Sequence, residues 1–242
     1  MDDKTYEYEH RHLDLSEVLA MIEDALLHRH PFSLARYGHA EIYYSLWPSP
    51  TASGRGLDYY QNYNGAIGDP VEIGKQIIDS LQNTHLAGLY SHHEDEASHR
   101  ETKQLLSKIN YVPSNVCSPF ITHKMAENPD FWSMLKPLRV ALVGRRAKEA
   151  ITSFENQGVK VAETYNLEGL PQANHLEKSL IDKKDEWDLA IMAAGIPATI
   201  IAERIANATH NVVLDFGHAL DKIIDGEAFD FEKLVQNFYE DI

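Results

Sequence analysis

One cysteine, Cys117, stands among 242 residues, which excludes an internal disulfide. A lone thiol points to a reducing compartment, the cytoplasm. Basic residues are scarce as well: 22 Lys and Arg face 37 Asp and Glu, for a net charge of −15. Such a chain repels a phosphate backbone, so nucleic acid is not an expected partner. A small anionic ligand is compatible only where a divalent cation or a few local arginines reverse the field. Long apolar runs are missing too. The most apolar stretch, Leu189 to Ile205, is interrupted by Gly195, Pro197, Glu203 and Arg204, so it reads as a buried strand followed by a helix and not as a membrane span. The first 14 residues are polar and lack the basic start and apolar run of a signal peptide, in keeping with the cytoplasmic expectation. No strand is followed by a three-glycine dinucleotide fingerprint or a P-loop lysine, which disfavours the common NAD and ATP folds.

What remains is an alternation. With 43% apolar residues the chain can bury one sizeable core, and residues 1–242 read as a single domain. Apolar spacing predicts helices over 15–29, with Ser16 as a possible N-cap, and over 71–81, 96–109, 147–156, 174–183 and 197–207. Between them lie the short apolar runs 32–36, 86–90, 138–143, 159–162, 187–193 and 212–214, unbroken in place of alternating, as in strands covered on both faces. Residues 48–69 form a long connection rich in Pro, Gly, Asn and Tyr. The expected fold is therefore α/β, a doubly wound, mostly parallel Rossmann-like sheet with helices on both faces. In such sheets ligands sit beyond the carboxyl ends of the strands.

The residues at those ends carry the candidate chemistry. Gly144 and Gly195 each separate a strand from a helix, where a missing Cβ and unpaired helix N–H groups suit phosphate, or where a tight turn is all that is needed. Arg145 and Arg146 favour the phosphate reading at Gly144, since guanidinium matches phosphate geometry. His39 and Glu41 flank Ala40 just after strand 32–36. Were that segment extended, both would point to one side and could share a cation; otherwise Glu41 caps the next helix and His39 is a solvated histidine. His92, His93 and Glu94 repeat the ambiguity. Asp215 and His218 follow the last strand, either as acid–base groups or as a turn cap with a packed neighbour.

Taken together, the segment Phe32-Ser33-Leu34-Ala35-Arg36-Tyr37-Gly38-His39-Ala40-Glu41 resembles the signature strand and loop of the GT-D-type glycosyltransferases, and Val213-Leu214-Asp215-Phe216-Gly217-His218 is similar to that family's closing Asp-x-Gly-His. Arg36, Gly38 and Glu41 match, while His39 stands where the family's first Asp is expected. The resemblance implies a glycosyltransferase that takes a nucleoside-diphosphate sugar, such as a UDP-sugar, to an unspecified glycan or glycoprotein acceptor. It implies a divalent cation, Mn²⁺ or Mg²⁺, held near His39 and Glu41. Arg36, Gly38, Gly144, Arg145 and Gly195 would then serve the donor, Asp215 or His218 would be the base, and Tyr59, Tyr60 and Tyr63 would cover sugar or acceptor. Two rivals stand beside it: a metal-dependent hydrolase using His39, Glu41, His92 and His93, and a nucleotide-sugar-binding module without activity.

Overall fold

The computed structural model describes residues 6–51, 56–57, 60 and 65–230. Its strands are β1 (His12–Leu13), β2 (Phe32–Arg36), β3 (Leu86–Gly88), β4 (Val116–Cys117), β5 (Arg139–Gly144), β6 (Lys160–Tyr165), β7 (Leu189–Ala193) and β8 (Val212–Asp215). They form one eight-stranded sheet in the order β1-β4-β3-β2-β8-β7-β5-β6, and every pairing is parallel. The α-helices among the described residues are α1 (Leu15–His28), α2 (His39–Leu46), α3 (Pro70–Asn83), α4 (Glu96–Ile109), α5 (Ile121–Glu127), α6 (Pro129–Leu135), α7 (Ala147–Asn156), α8 (Leu170–Asp182), α9 (Ile196–Thr209) and α10 (Ala219–Asp225).

Strand geometry sends successive side chains to opposite faces, and here both faces are buried. Ala141, Val143, Ala190, Met192 and Val213 join the core beneath α2, α3, α8 and α9. Val140, Leu142, Leu189, Ile191, Val212 and Leu214 join the core that packs α1, α5, α6, α7 and α10. That two-sided burial is why these strands read as continuous apolar runs. The doubly wound parallel α/β fold expected from the sequence is the fold observed.

Several local expectations change. Helix α1 is capped by Asp14, not Ser16: the Asp14 carboxylate accepts the Glu17 N–H at 2.9 Å, the Glu17 carboxylate accepts the Asp14 N–H at 2.8 Å, and the Ser16 hydroxyl merely donates to Asp14. That reciprocal pair is a capping box. The segment after β2 is helix α2, not extended backbone. Between α4 and β5, where no element was expected, lie β4, α5 and α6, with Pro129 tolerated because it opens α6, where its missing N–H has no partner to lose. Helix α8 begins at Leu170, ahead of the expected 174, again with a proline in its first turn. Strand β3 ends at Gly88, so Leu89 and Tyr90 belong to the loop that follows.

The topology locates a switch point between β2 and β8. The chain leaves β2 toward the α2–α3 face and leaves β8 toward the α10 face, although β2 and β8 are hydrogen-bonded neighbours. A cleft opens where adjacent strands send their loops to opposite sides, and ligands of doubly wound sheets bind there.

Candidate functional site

Arg36 ends β2 and Asp215 ends β8, so the switch point places them side by side. The Arg36 side chain donates from Nη2 to Asp215 Oδ1 at 3.0 Å and from Nε to the Asp215 carbonyl at 3.0 Å, while its backbone N–H reaches Asp215 Oδ2 at 3.1 Å. Thr199 Oγ1, on the first turn of α9, donates to Asp215 Oδ2 or to the Arg36 carbonyl, each at 3.3 Å. The side chains are 18% and 2% exposed. Burial works against the guanidinium charge, but the charge and hydrogen bond of Asp215 outweigh it and raise the Arg36 pKa above its ordinary value. Among the described residues Nη1 makes no hydrogen bond, whereas Nε and Nη2 are both held by Asp215. A fixed, partly desolvated guanidinium is suited to a phosphate.

Two glycines make room for it. A Cβ on Gly217, whose φ is +48°, would lie 1.8 Å from Arg36 Nη2, and a Cβ on Gly88 would lie 3.2 Å from Arg36 Cγ. Gly88 thus seats the stem and Gly217 covers the head. Neither was singled out as a site residue from sequence, although Gly217 lies inside the closing Asp-x-Gly-His segment.

Gly38 is the N-cap of α2 and Glu41 its third residue. Glu41 Oε2 accepts the Gly38 N–H at 2.9 Å, the helix-cap role that sequence left open beside the metal role. The residue is 7% exposed. Burial, with the negative field of Asp215, pushes its carboxyl up to about 7. His39, two residues earlier, faces elsewhere: Nε2 lies 3.1 Å from Asp95 Oδ2 and Nδ1 lies 3.2 Å from the Tyr90 hydroxyl. Helical geometry puts residues i and i+2 on different sides, so the two do not act as a pair. These residues fit a resident divalent cation poorly. Both imidazole nitrogens are engaged, one Glu41 oxygen is spent on the cap, and neither residue enters a cluster of three ligand side chains among the described residues.

His218 opens α10, with Nδ1 3.0 Å from Asp221 Oδ2. Asp221 in turn pairs with Arg146 at 3.0 Å, and Arg146 also holds Asp225 and Glu149. Arg146 is therefore a structural clasp. Its neighbour Arg145 is exposed. Gly144, with φ of +142°, brings β5 against β7 so closely that a Cβ would lie 2.4 Å from the Ala193 carbonyl. Gly195 is the N-cap of α9. With neighbouring strands about 4.8 Å apart, Gly144 and Arg145 lie three strand spacings, roughly 14 Å, from Arg36 across the order β2-β8-β7-β5. Arg36, Gly38, Asp215 and His218 cluster at the switch point, while Gly195 and Gly144 with Arg145 extend the row.

Other groups at this end were not read from sequence. His123 on α5 titrates down to about 4, first through burial and then through the charge of Arg36, with Lys222 and His218 adding to it. Phe120 is 42% exposed and meets Tyr90 edge to face at 5.8 Å. Both follow β4, whose two residues are too few to signal a strand. Tyr60 is 1% exposed and packs 4.7 Å from the Tyr43 ring, so its face is already covered and it is no lid. Tyr59 and Tyr63 lie outside the described residues.

With that geometry in place, the family model for the GT-D fold-like domain matches residues 13–223. The chain belongs to the GT-D fold-like family. A solved structure described as a new glycosyltransferase from Streptococcus sanguinis, of domain of unknown function 1792, aligns at 16% identity with a TM-score of 0.55 over 93% of this chain and 84% of its own. A second structure of that domain, described as having a distinct glycosyltransferase fold, aligns at 13% identity with a TM-score of 0.54 over 94% and 82%. At such identities the likeness is one of fold. No curated protein matches the sequence. Among the described residues no helix is long and apolar enough to cross a membrane.

Proposed function

We propose that this GT-D protein transfers a sugar from a nucleoside-diphosphate sugar, such as a UDP-sugar, to a hydroxyl on a glycan or glycoprotein acceptor. The observation that carries the reading is Arg36, locked by Asp215 at the β2/β8 switch point and covered by Gly217. Nη1 of Arg36 meets the donor diphosphate, with the N–H groups at the start of α2 and α9 beside it. These groups offset the charge that gathers on the leaving diphosphate as the anomeric C–O bond breaks.

Of the two candidate bases, Asp215 has both oxygens committed to Arg36 and Thr199, which makes it the positioning residue for the guanidinium. His218 is the better base. With Nδ1–H directed at Asp221, its Nε2 takes the acceptor proton as the acceptor oxygen bonds to the anomeric carbon, and the diphosphate departs with the electron pair, for a transfer with inversion. This transfer uses no cation at His39 and Glu41. Gly195, Gly144 and Arg145 extend toward the far end of the donor.

The experiment is donor turnover, read as nucleoside diphosphate released from a panel of nucleotide sugars with and without Mn²⁺ or Mg²⁺. Wild type is expected to turn over at least one donor, and Arg36→Lys to lose donor binding, because a lysine cannot reproduce the paired contacts to Asp215. Donor binding without turnover in every acceptor condition would favour the inactive binding module. The hydrolase rival needs His39, Glu41, His92 and His93 together, whereas both ring nitrogens of His39 are engaged, by Asp95 and Tyr90.

A further inference from the structure

Away from the switch point, the amino-terminal segment crosses the loop after β3 and the first turns of α4. The Tyr8 hydroxyl donates to the Tyr90 carbonyl at 2.5 Å, and the Tyr8 ring meets His99 edge to face at 5.3 Å. Glu7, Glu9 and His99 then each offer one ligand atom, all within 4.8 Å of one another. Clustered carboxylates alone would say little. The decisive feature is His99: it is 8% exposed, and its Nε2 is enclosed with no hydrogen-bond partner. The nearest acidic oxygen, Glu9 Oε1, is 3.8 Å away, too far for a hydrogen bond. An enclosed ring nitrogen left without a partner is costly, so a feature of this kind calls for an occupant.

We propose that Glu7, Glu9 and His99 bind one divalent transition cation of the Zn²⁺ class, separately from the sugar-transfer site. Imidazole with two carboxylates suits Zn²⁺ and disfavours Mg²⁺, which takes all-oxygen shells. Ligand atoms on a tetrahedral Zn²⁺ stand about 3.4 Å apart for bonds of about 2.1 Å, and the 3.8 Å between His99 Nε2 and Glu9 Oε1 is near that spacing. Lys103 already pairs with Glu7 Oε1 at 2.5 Å, so Glu7 serves through its second oxygen or releases Lys103. The ring of His92, 5.9 Å from that of His99, stands over the same place. The bound ion clasps residues 7–9 to α4, whose N-cap Asp95 also holds His39.

The test uses the full chain, stripped with a chelator and titrated with Zn²⁺ alone, with no nucleotide sugar present, so its result does not depend on the transferase reading. Wild type is expected to bind one equivalent and to melt at a higher temperature with Zn²⁺. His99→Ala and Glu9→Gln are expected to weaken that equivalent by about tenfold or more, while His39→Ala and Glu41→Gln leave it intact. Glu9 is partly exposed, so Glu9→Gln carries the test if His99→Ala does not fold. Absence of Zn²⁺ binding by wild type overturns the proposal, as does undiminished binding by folded Glu9→Gln or His99→Ala. Loss in Glu41→Gln but not in Glu9→Gln would move the cation to the switch point.

Discussion

Glu41→Gln separates the helix-cap role of this residue from a ligand role, and the size of the effect follows from burial. The Glu41 carboxyl is pushed from 4.5 up to about 7, first by burial and then by Asp215. A carboxyl whose folded-state value lies above its unfolded one binds its proton more tightly in the folded chain. Folding stability therefore falls as pH rises from about 4.5 to 7, and the loss is complete above 7. The interval between 4.5 and about 7 corresponds to about 3 kcal/mol. Glutamine keeps a carbonyl oxygen for the Gly38 N–H and carries no charge to bury. Relative to wild type, the variant should gain about 3 kcal/mol between pH 4.5 and pH 8, seen as a rise of about 6–12 °C in relative Tm for a chain of this size. Thermal melts of both proteins across that pH range, with and without Mn²⁺, are the assay. A variant that melts at or below wild type at pH 8, or that loses a Mn²⁺-induced rise which wild type shows, refutes the cap-only role.

Gly217→Ala should leave the fold intact by circular dichroism yet displace the Arg36 guanidinium, which a Cβ would approach to 1.8 Å; isothermal titration with a nucleoside diphosphate should show at least about a tenfold loss, and unchanged affinity would contradict the seating of Arg36. His218→Ala should lower kcat by about 10²–10⁴-fold with little change in donor affinity, and Asp221→Asn should lower it less; a fall in donor affinity alone would assign His218 to binding. Asp215→Ala leaves the Arg36 charge without its partner and should destabilise the protein by about 3–5 kcal/mol, measured by urea unfolding. Because burial and the charge of Arg36 hold His123 near 4, below the usual histidine value, the folded chain resists its protonation and loses stability as pH falls from about 6.5 to 4; His123→Gln should flatten that limb of the pH–stability curve.

The sheet was legible because both of its faces are buried, so strands such as Arg139–Gly144 and Leu189–Ala193 appear as unbroken apolar runs ending at glycine or a small residue. Helices with an apolar stripe and a clear stop, such as Glu96–Ile109 and Ala147–Asn156, were legible to the residue. Helix α2 was not, because seven of its eight residues are buried and no polar face marks its period. Strands of two residues, β1 and β4, are below the length at which periodicity speaks. At the site, Arg36 and Asp215 were legible as strand-end residues, and Gly38 and His218 as residues just beyond, but the partners to which they bond were not. Thr199 and Asp221 bond to Arg36 and His218 across 163 and 3 residues, Asp95 bonds to His39 across 56, and nothing in spacing connects Thr199 or Asp95 to its partner. The His99 cluster joins residues 7 and 9 to residue 99, a contact set only by how the first segment crosses α4.

The proposed role of Arg36, fixed by Asp215 beneath Gly217, is to receive the diphosphate of a sugar donor. Its most direct test is calorimetric titration of wild type and Arg36→Lys with a panel of nucleoside-diphosphate sugars, with circular dichroism confirming that both are folded. Wild type is expected to bind at least one member and the variant to lose that binding by about a hundredfold, the roughly 3 kcal/mol of a charge-assisted contact. Failure of wild type to bind any nucleoside-diphosphate sugar, or equal binding by the folded variant, would contradict it.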